Sequence, residues 1–385
     1  MTEPVISDQA AFNLNVAAGY IVAYRLFDVA YAIDLAKAEE TWARTVRTGS
    51  SRGRLTTTPP KAIAFGEPPV SLALGTVVLS LSDGAASDGA AEAVATARLY
   101  DFGVVSIALR LPVAHLSWPD FAQRVNAVDR AAGPSPAATL WTDLLDRVRQ
   151  GAGAALIRPV PSTLEEDYLI GVVSAFSGPA AAETLPNRLD LVPVLSGESR
   201  ALSEGARRDL LRHQYSYYTD DLVVLTWDRA FVYEPRGDTD VTDVLEVANA
   251  QLLEMRYYDE WLDAELPRMY DLVEATRRRW ALPGARRFAD LARRLYTVVA
   301  EVTELTEKVD NALQVTEDVY LARIYAAALE LFRVPAVSAA VDRKLSIIRD
   351  TYTALYDEAH SSRSEVLEIA ILVLIFVEIV LAVIR

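Results

Sequence analysis

The sequence predicts an α+β protein. Its N-terminal antiparallel-sheet half follows a ferredoxin-like pseudo-repeat, and a long helical coiled-coil hairpin then ends in an apolar C-terminal helix. Three observations carry this reading. Up to about residue 237, runs rich in β-branched and aromatic residues alternate with helix-forming ones. Beyond residue 241 the apolar residues fall at helical steps of three and four. From Val366 to Arg385, fifteen of twenty residues are Val, Ile, Leu or Phe. The expected division is an N-terminal tail (1–14), an α/β domain (15–237), a helical and coiled-coil region (238–365) and a transmembrane helix (366–385).

GYIVAYRLFDVAYAI (19–33) reads as a strand that passes into the helix DLAKAEETWART. SRGRLTTTPP (51–60) and SDGAASDGAAEA (82–93) have loop composition, dense in Ser, Gly, Pro, Thr and Asp. VSLALGTVVLSL and ATARLYDFGVVSIALRLPV make strands, and SWPDFAQRVNAV makes a helix capped by Ser117 with Pro119 in its first turn. The order then recurs: a strand in EEDYLIGVVSAF, a helix over 203–218, and two short strands turning near Asp228 in DDLVVLTWDRAFVYEP. Two strand-helix-strand-strand-helix units of this kind would place their helices on one face of the sheet.

From about 241 everything is expected to be helical, with a bend at Pro267. Phe288, Leu291, Leu295, Val298, Val302, Leu305 and Val309 form a heptad seam that continues with a looser period through Leu313, Thr316, Tyr320, Ile324, Ala327 and Leu331. Val334 and Pro335 break the helix. After them, Val341, Leu345, Ile348 and Tyr352 resume a strict alternation that runs on into the apolar tail.

That tail, SEVLEIAILVLIFVEIVLAVIR, is long enough to span a bilayer, which takes about 20 mostly apolar residues. Glu368 lies in its first turn, within reach of headgroups. Glu378 is deeper and needs another helix or a proton. The alternative is a buried oligomer helix. The start, MTEPVISDQA, has acids where a signal peptide has bases, so no cleaved signal is expected and the bulk of the protein is placed in the cytoplasm.

Composition excludes several classes. A net charge of −15 argues against a general nucleic-acid binder. Without cysteine there are no disulfides, thiolate metal sites or Cys nucleophiles. The three histidines are far apart and lack metal-ligand spacing. No glycine-rich segment ends in the GK[ST] of a phosphate loop. Asp259, Glu260, Asp263 and Glu265 crowd one helix, where a solvated or ion-paired face is the ordinary outcome, and Glu254 and Asp259 read as structural partners for Arg256 or another helix. No constellation of catalytic roles is recognisable, so neither an enzyme nor a cofactor is expected. Arg286, Arg287, Arg293 and Arg294 belong to a local basic cluster suited to anionic headgroups if it faces a membrane.

Three stretches resemble the "required for meiotic nuclear division" family of bacteria, fungi and mitochondria: DDLVVLTWDRAFVYEP with Trp227; ANAQLLEMRYYDEWLDAEL with Asn249, Gln251, Glu254, Tyr258, Asp259 and Asp263; and RSEVLEIAILVLIFVEIVL with Arg363, Leu367, Glu368 and Glu378, a stretch in which Phe376 continues the helical seam. LYDFGVVSI, with Asp101 and Gly103, matches the family's aromatic-acid-aromatic-glycine strand motif more weakly. The resemblance is best over 220–385. It implies a membrane-attached, self-associating protein of unassigned activity, similar to mitochondrial proteins that support translation at the inner membrane. The expected function is therefore a membrane-anchored scaffold that forms homo-oligomers, with its protein partner unnamed. The alternative is a soluble homo-oligomer with an intersubunit core of apolar tails.

Overall fold

The computed structural model describes residues 14–45, 50–52, 64–65, 67–82, 88–133, 138–160, 164–198, 200–236, 240–278, 293, 295–297, 299–300, 302–303, 313–314, 319–354, 356–357 and 372. It is α+β. The chain divides into two units, the first made of Met1–Glu254 and Val309–Val334, the second of Met255–Lys308 and Pro335–Arg385. One break between the units falls inside a helix, between Glu254 and Met255.

In the first unit, β1 (Val16–Asp28), β5 (Val70–Ser82), β6 (Asp88–Leu99), β7 (Val104–Leu116) and β9 (Glu165–Phe176) form the middle of a nine-stranded sheet. Shorter strands complete it: β3 (Ser50–Arg52), β10 (His213–Tyr215), β11 (Leu222–Leu225) and β12 (Arg229–Tyr233). The order is β10-β11-β12-β9-β1-β7-β6-β5-β3. Every pair is antiparallel except β12 with β9. β2 (Ala30–Ile33) and β8 (Leu156–Pro159) pair apart from this sheet, and so do β4 (Ala64–Phe65) and β13 (Leu313–Gln314).

In the second segment β9 is followed by helices and then meets β12 in parallel. In the first segment β1 is flanked by antiparallel β7. The strand pairing thus does not carry a pseudo-repeat through both halves.

Three local expectations are corrected. The second half of the segment given loop composition, from Asp88 on, is strand β6. Its small residues Ala93, Ala95 and Ala97 are buried while Glu92, Val94 and Thr96 are exposed, and strands on both sides hold it in place. The helix expected over 203–218 stops at Leu210, and the chain then becomes β10. Leu313, placed on the helical seam, lies instead in β13 and pairs with Phe65 of β4.

Helices lie on both faces of the sheet, not on one. On the first face are α1 (Leu35–Thr45), α2 (Trp118–Ala132), α3 (Ala138–Ala152), α4 (Leu185–Arg188) and α5 (Val192–Ser196), around a core that includes Trp42, Phe121, Trp141 and Phe231. Ser117 caps α2 by accepting a hydrogen bond from Asp120 N at 3.2 Å. On the second face lie the first turns of α7 (Asp240–Arg278) and the helix Val319–Leu331. Phe332 at the end of that helix meets the ring of Tyr168 on β9 edge-on, with centroids 5.3 Å apart.

α7 continues through Pro267 as one helix. The break expected at Val334 and Pro335 is present: Val319–Leu331 ends, Arg333 turns left-handed at φ 59°, and a new helix runs over Val334–Ala354. Within the second unit, Leu262, Met269, Leu295, Val302, Val341, Leu345 and Ile348 are buried. Val334–Ala354 touches two other helical segments, α7 through Lys344 and the 293–303 stretch through Tyr296, whose ring lies 6.0 Å from that of Tyr352. The coarse result is a sheet domain followed by helices.

Candidate functional site

The described interior holds two sets of buried charge, one on each face of the sheet. On the second face Arg98 of β6 reaches α7, with Nη1 donating to Asp243 Oδ1 at 3.0 Å and to Glu246 Oε2 at 2.6 Å. Tyr24, Tyr100 and Ser106 are buried around this triad. Burial works against the Arg98 charge, but Glu246 and Asp243 hold its guanidinium well above the ordinary value. Burial likewise pushes the Glu246 carboxyl up, with Arg98 opposing. Two acids share one base here, so the cluster carries an excess negative charge inside the protein.

On the first face Arg229 of β12 donates to Asp129 Oδ2 and Asn126 Oδ1 of α2, both at 2.6 Å, and to the Val194 carbonyl at 3.3 Å. Its approach depends on Gly197, at φ 66°, where a Cβ would stand 2.3 Å from Arg229 Nη2. Arg25 of β1, 3% exposed, pairs with Glu165, donates to the Ala132 carbonyl and lies 5.5 Å from the Trp141 ring. Both arginines tie strands to helices.

The aromatic-acid-glycine turn is structural as well. Gly103 has φ 102°, and a Cβ there would fall 1.8 Å from the Ala30 carbonyl oxygen, so only glycine fits. The Asp101 carbonyl accepts from Ile33 N at 2.9 Å. Nearby in the chain, Asp28 ends β1 at 2% exposure with no hydrogen-bond partner for Oδ2, and burial raises its carboxyl to about 7.

On α7 the family-like residues divide between the two units. In the first, Asn249 is buried and donates to the Leu245 carbonyl at 2.9 Å, Gln251 Oε1 accepts from the Tyr325 hydroxyl at 2.6 Å, and Glu254 is buried. In the second, Tyr258 is buried, and Asp259 and Asp263 both grip Lys344, at 2.7 and 2.6 Å. Asp259 therefore pairs with another helix. These carboxylates hold helices together, and no group of three or more His, Asp or Glu able to hold a metal occurs among the described residues.

Trp227 has a different setting. It sits at the β11–β12 turn, 56% exposed, with Arg333 5.9 Å from its ring centre. Tyr217 and Tyr218 are also exposed. Tyr217 packs on Tyr320, with ring centres 5.6 Å apart, and Arg236 lies 4.0 Å over Tyr218. Arg323 stands 6.0 Å from the Tyr215 ring. Sequence reasoning singled out Trp227 but missed the rest, because the stripe is assembled from β10, the β11–β12 turn and the helix Val319–Leu331, which are distant in the chain.

Arg363, Leu367, Glu368, Phe376, Glu378, Arg286, Arg287 and Arg294 lie outside the described residues; Arg293 is exposed on a helical stretch. No single described helix is long and apolar enough to cross a membrane. The two helices flanking Phe332 and Arg333 pass that test only jointly.

Fold and site together define a class: an α+β protein with a mixed sheet covered on both faces, whose buried charges fasten helices and whose exposed aromatics gather beside an edge strand. The chain belongs to the family described as "Uncharacterized protein MJ0711, N-terminal domain", which matches residues 18–239. It is similar to the uncharacterized protein MJ0711 of Methanocaldococcus jannaschii, 26% identical over 218 residues, or 56% of this chain. The match spans 66% of that relative, just under two thirds of its length. No solved structure matches. The matched part includes LYDFGVVSI and the Trp227 hairpin but stops before the ANAQLL stretch and the apolar tail.

Proposed function

We propose that the protein is a membrane-anchored, self-associating scaffold without catalytic activity, held by its apolar C-terminal stretch and presenting the sheet domain to a protein partner. The observation that carries the reading is the run of fifteen Val, Ile, Leu or Phe residues in the twenty from Val366 to Arg385. The engagement of Arg98 and Arg229 in joining strands to helices, and of Lys344 in joining two helices, supports a non-enzymatic role. The resemblance to the "required for meiotic nuclear division" family adds membrane attachment and self-association, with support of translation at a membrane as the finer expectation. In this reading Glu368 lies at headgroup level, Arg286, Arg287, Arg293 and Arg294 face anionic lipid, and Glu378 meets a neighbouring subunit's tail helix.

Membrane fractionation tests the anchor. The full chain should stay in the pellet through alkaline carbonate, whereas a chain truncated before Glu365 should become soluble and form smaller assemblies. Recovery of the full chain in the soluble fraction without detergent would instead favour a soluble oligomer built on apolar tails. Glu378→Leu should leave insertion intact and weaken assembly; equal oligomer mass for wild type and variant in detergent would remove that role.

A further inference from the structure

The exposed aromatic stripe points to the chemistry of a partner. β10 ends the nine-stranded sheet, and α6 (Glu204–Leu210) before it contributes no buried residue. Alongside runs the helix Val319–Leu331, bringing Tyr320 to Tyr217, Arg323 to Tyr215 and, just past its end, Arg333 to Trp227. At 1.5 Å per residue the span from Tyr320 to Arg333 is about 20 Å, the length of about six residues of extended chain.

The arginines on this stripe differ from those of the interior. Arg25, Arg98 and Arg229 are each paired with carboxylates. Arg236, Arg323 and Arg333 lie over aromatic rings and have no carboxylate partner among the described residues. A guanidinium stacked on a ring is pre-oriented and keeps its edge donors for an incoming carboxylate or phosphate. Acids nearby are partly engaged: Asp221 Oδ1 accepts from Tyr217 N and Tyr218 N, and Asp228 lies 3.8 Å from Arg229. Glu330, whose charge acts on Tyr215 together with that of Arg323, is the acid that would oppose an anion here.

We propose that an extended, acidic segment of a partner protein adds to the β10 edge, with carboxylates four residues apart meeting Arg323 and Arg333. β10 is the edge strand of the sheet among the described residues, and such an edge favours a peptide, which can continue the backbone hydrogen bonding. Tyr, Trp and Arg are the side chains enriched where protein interfaces concentrate their binding energy. Spacing supplies the register. Arg323 lies eight residues, about 12 Å, before the last residue of the helix and Arg333 two residues past it, a separation comparable to the about 13–14 Å between same-face positions i and i+4 of a strand. A single-stranded nucleic acid would also supply anions, but three arginines on a chain of net charge −15 make no basic groove.

The inference names the surface by which the proposed scaffold would take its partner, and so rests on that reading. Its test is independent of the membrane. Fluorescence anisotropy with the detergent-solubilised full chain would compare a labelled Val/Thr peptide of about seven residues carrying two glutamates four apart, the same peptide with them two apart, its glutamine version, and oligouridylate. The first probe should bind best. Arg323→Ala and Arg333→Ala should each weaken it about tenfold, while Glu330→Gln should tighten it a few-fold, all with unchanged melting. No saturable binding of the first probe, indifference to both arginine variants, or tighter binding of oligouridylate at equal salt would overturn the proposal. The anchor reading could still stand in that case, because carbonate extraction decides it separately.

Discussion

The two faces of the sheet handle buried charge in opposite ways. On the α7 face Arg98 serves two carboxylates, Asp243 and Glu246, whose side chains are 12% and 4% exposed. On the α2 face Arg229 is the deeper arginine, 7% exposed against 21% for Arg98, but its acid, Asp129, is 40% exposed, and an amide and a carbonyl share the guanidinium. The first arrangement is closed and holds one charge too many. The second is open at its rim. Removing one member of a fully buried pair leaves a charge stranded, whereas a rim acid turns to water. The faces should therefore respond differently to equivalent changes.

The largest effect should come from Arg98→Met. It leaves two acids facing each other in the interior, and the expected loss is about 3–5 kcal/mol in a denaturant titration at pH 7. Part of that loss should return on acidification, since the raised Glu246 carboxyl then takes up a proton. A further Glu246→Gln change should restore much of the remainder, and no recovery by either route would show that Arg98 acts through packing alone.

Asp28, in register with Tyr24 along β1 and hence on the same face, sharpens the comparison because it is 2% exposed and its Oδ2 has no hydrogen-bond partner among the described residues. Its folded-state value of about 7 lies above the ordinary 3.8, so the folded protein binds this proton more tightly than the unfolded chain. The sign follows: its contribution is fully present below about pH 4 and is lost as pH rises through about 7. At 1.36 kcal/mol per unit this amounts to roughly 4 kcal/mol at most. Asp28→Asn should raise stability at pH 8 and flatten the fall between pH 4 and 7. Identical pH profiles for the two proteins would show that Asp28 ionises without cost.

The open face should yield less. Arg229→Ala removes the donor shared by Asp129, Asn126 and the Val194 carbonyl and opens space beside Gly197. Because Asp129 can rehydrate, the expected loss is about 2 kcal/mol, clearly below that of Arg98→Met. Equal losses at the two arginines would abolish the distinction between the faces.

Much of one face was legible in the sequence and little of the other. The α2 face announced itself through Ser117 as cap, Pro119 in the first turn and the buried stripe of Phe121, Val125 and Val128. α7 did not, because its first turns carry Asp240, Asp243 and Glu246, acids that read as a solvated surface until Arg98 is placed opposite them. β6 was hidden for a similar reason. Its first residues have the composition of a loop, and alanines make a strand only where neighbours on both sides supply the pairing. Asp259 was legible as a partner for Arg256 or for another helix, and Lys344 on the helix Val334–Ala354 is a base it meets. The aromatic stripe was the least legible, since no local period links Tyr215, Trp227 and Arg323.

The smallest effect is expected at Asp129, and it is the most direct check on the open face. Asp129→Asn keeps the shape of the side chain and an oxygen acceptor for Arg229 Nη2 while removing the charge. Arg229 would then be a buried cation whose nearest remaining carboxylate is Asp228, at 3.8 Å and itself exposed. If proximity alone set the energy, this change should cost as much as breaking a closed pair. If exposure of the acid sets it, water already screens the charge that Asp129 contributes, and the loss should stay within about 1 kcal/mol. Asp243→Asn on the opposite face provides the matched control, because it also exchanges a carboxylate bonded to an arginine, here the partly buried Arg98, for an amide. It removes the excess negative charge there while Glu246 still neutralises Arg98, so stability should hold or rise. Denaturant titrations of the two variants at low and high salt would decide. A small, salt-sensitive loss at Asp129 beside a neutral or stabilising change at Asp243 is the expected pair, and a loss above about 2 kcal/mol at Asp129 would mean that the rim is electrostatically closed despite its exposure.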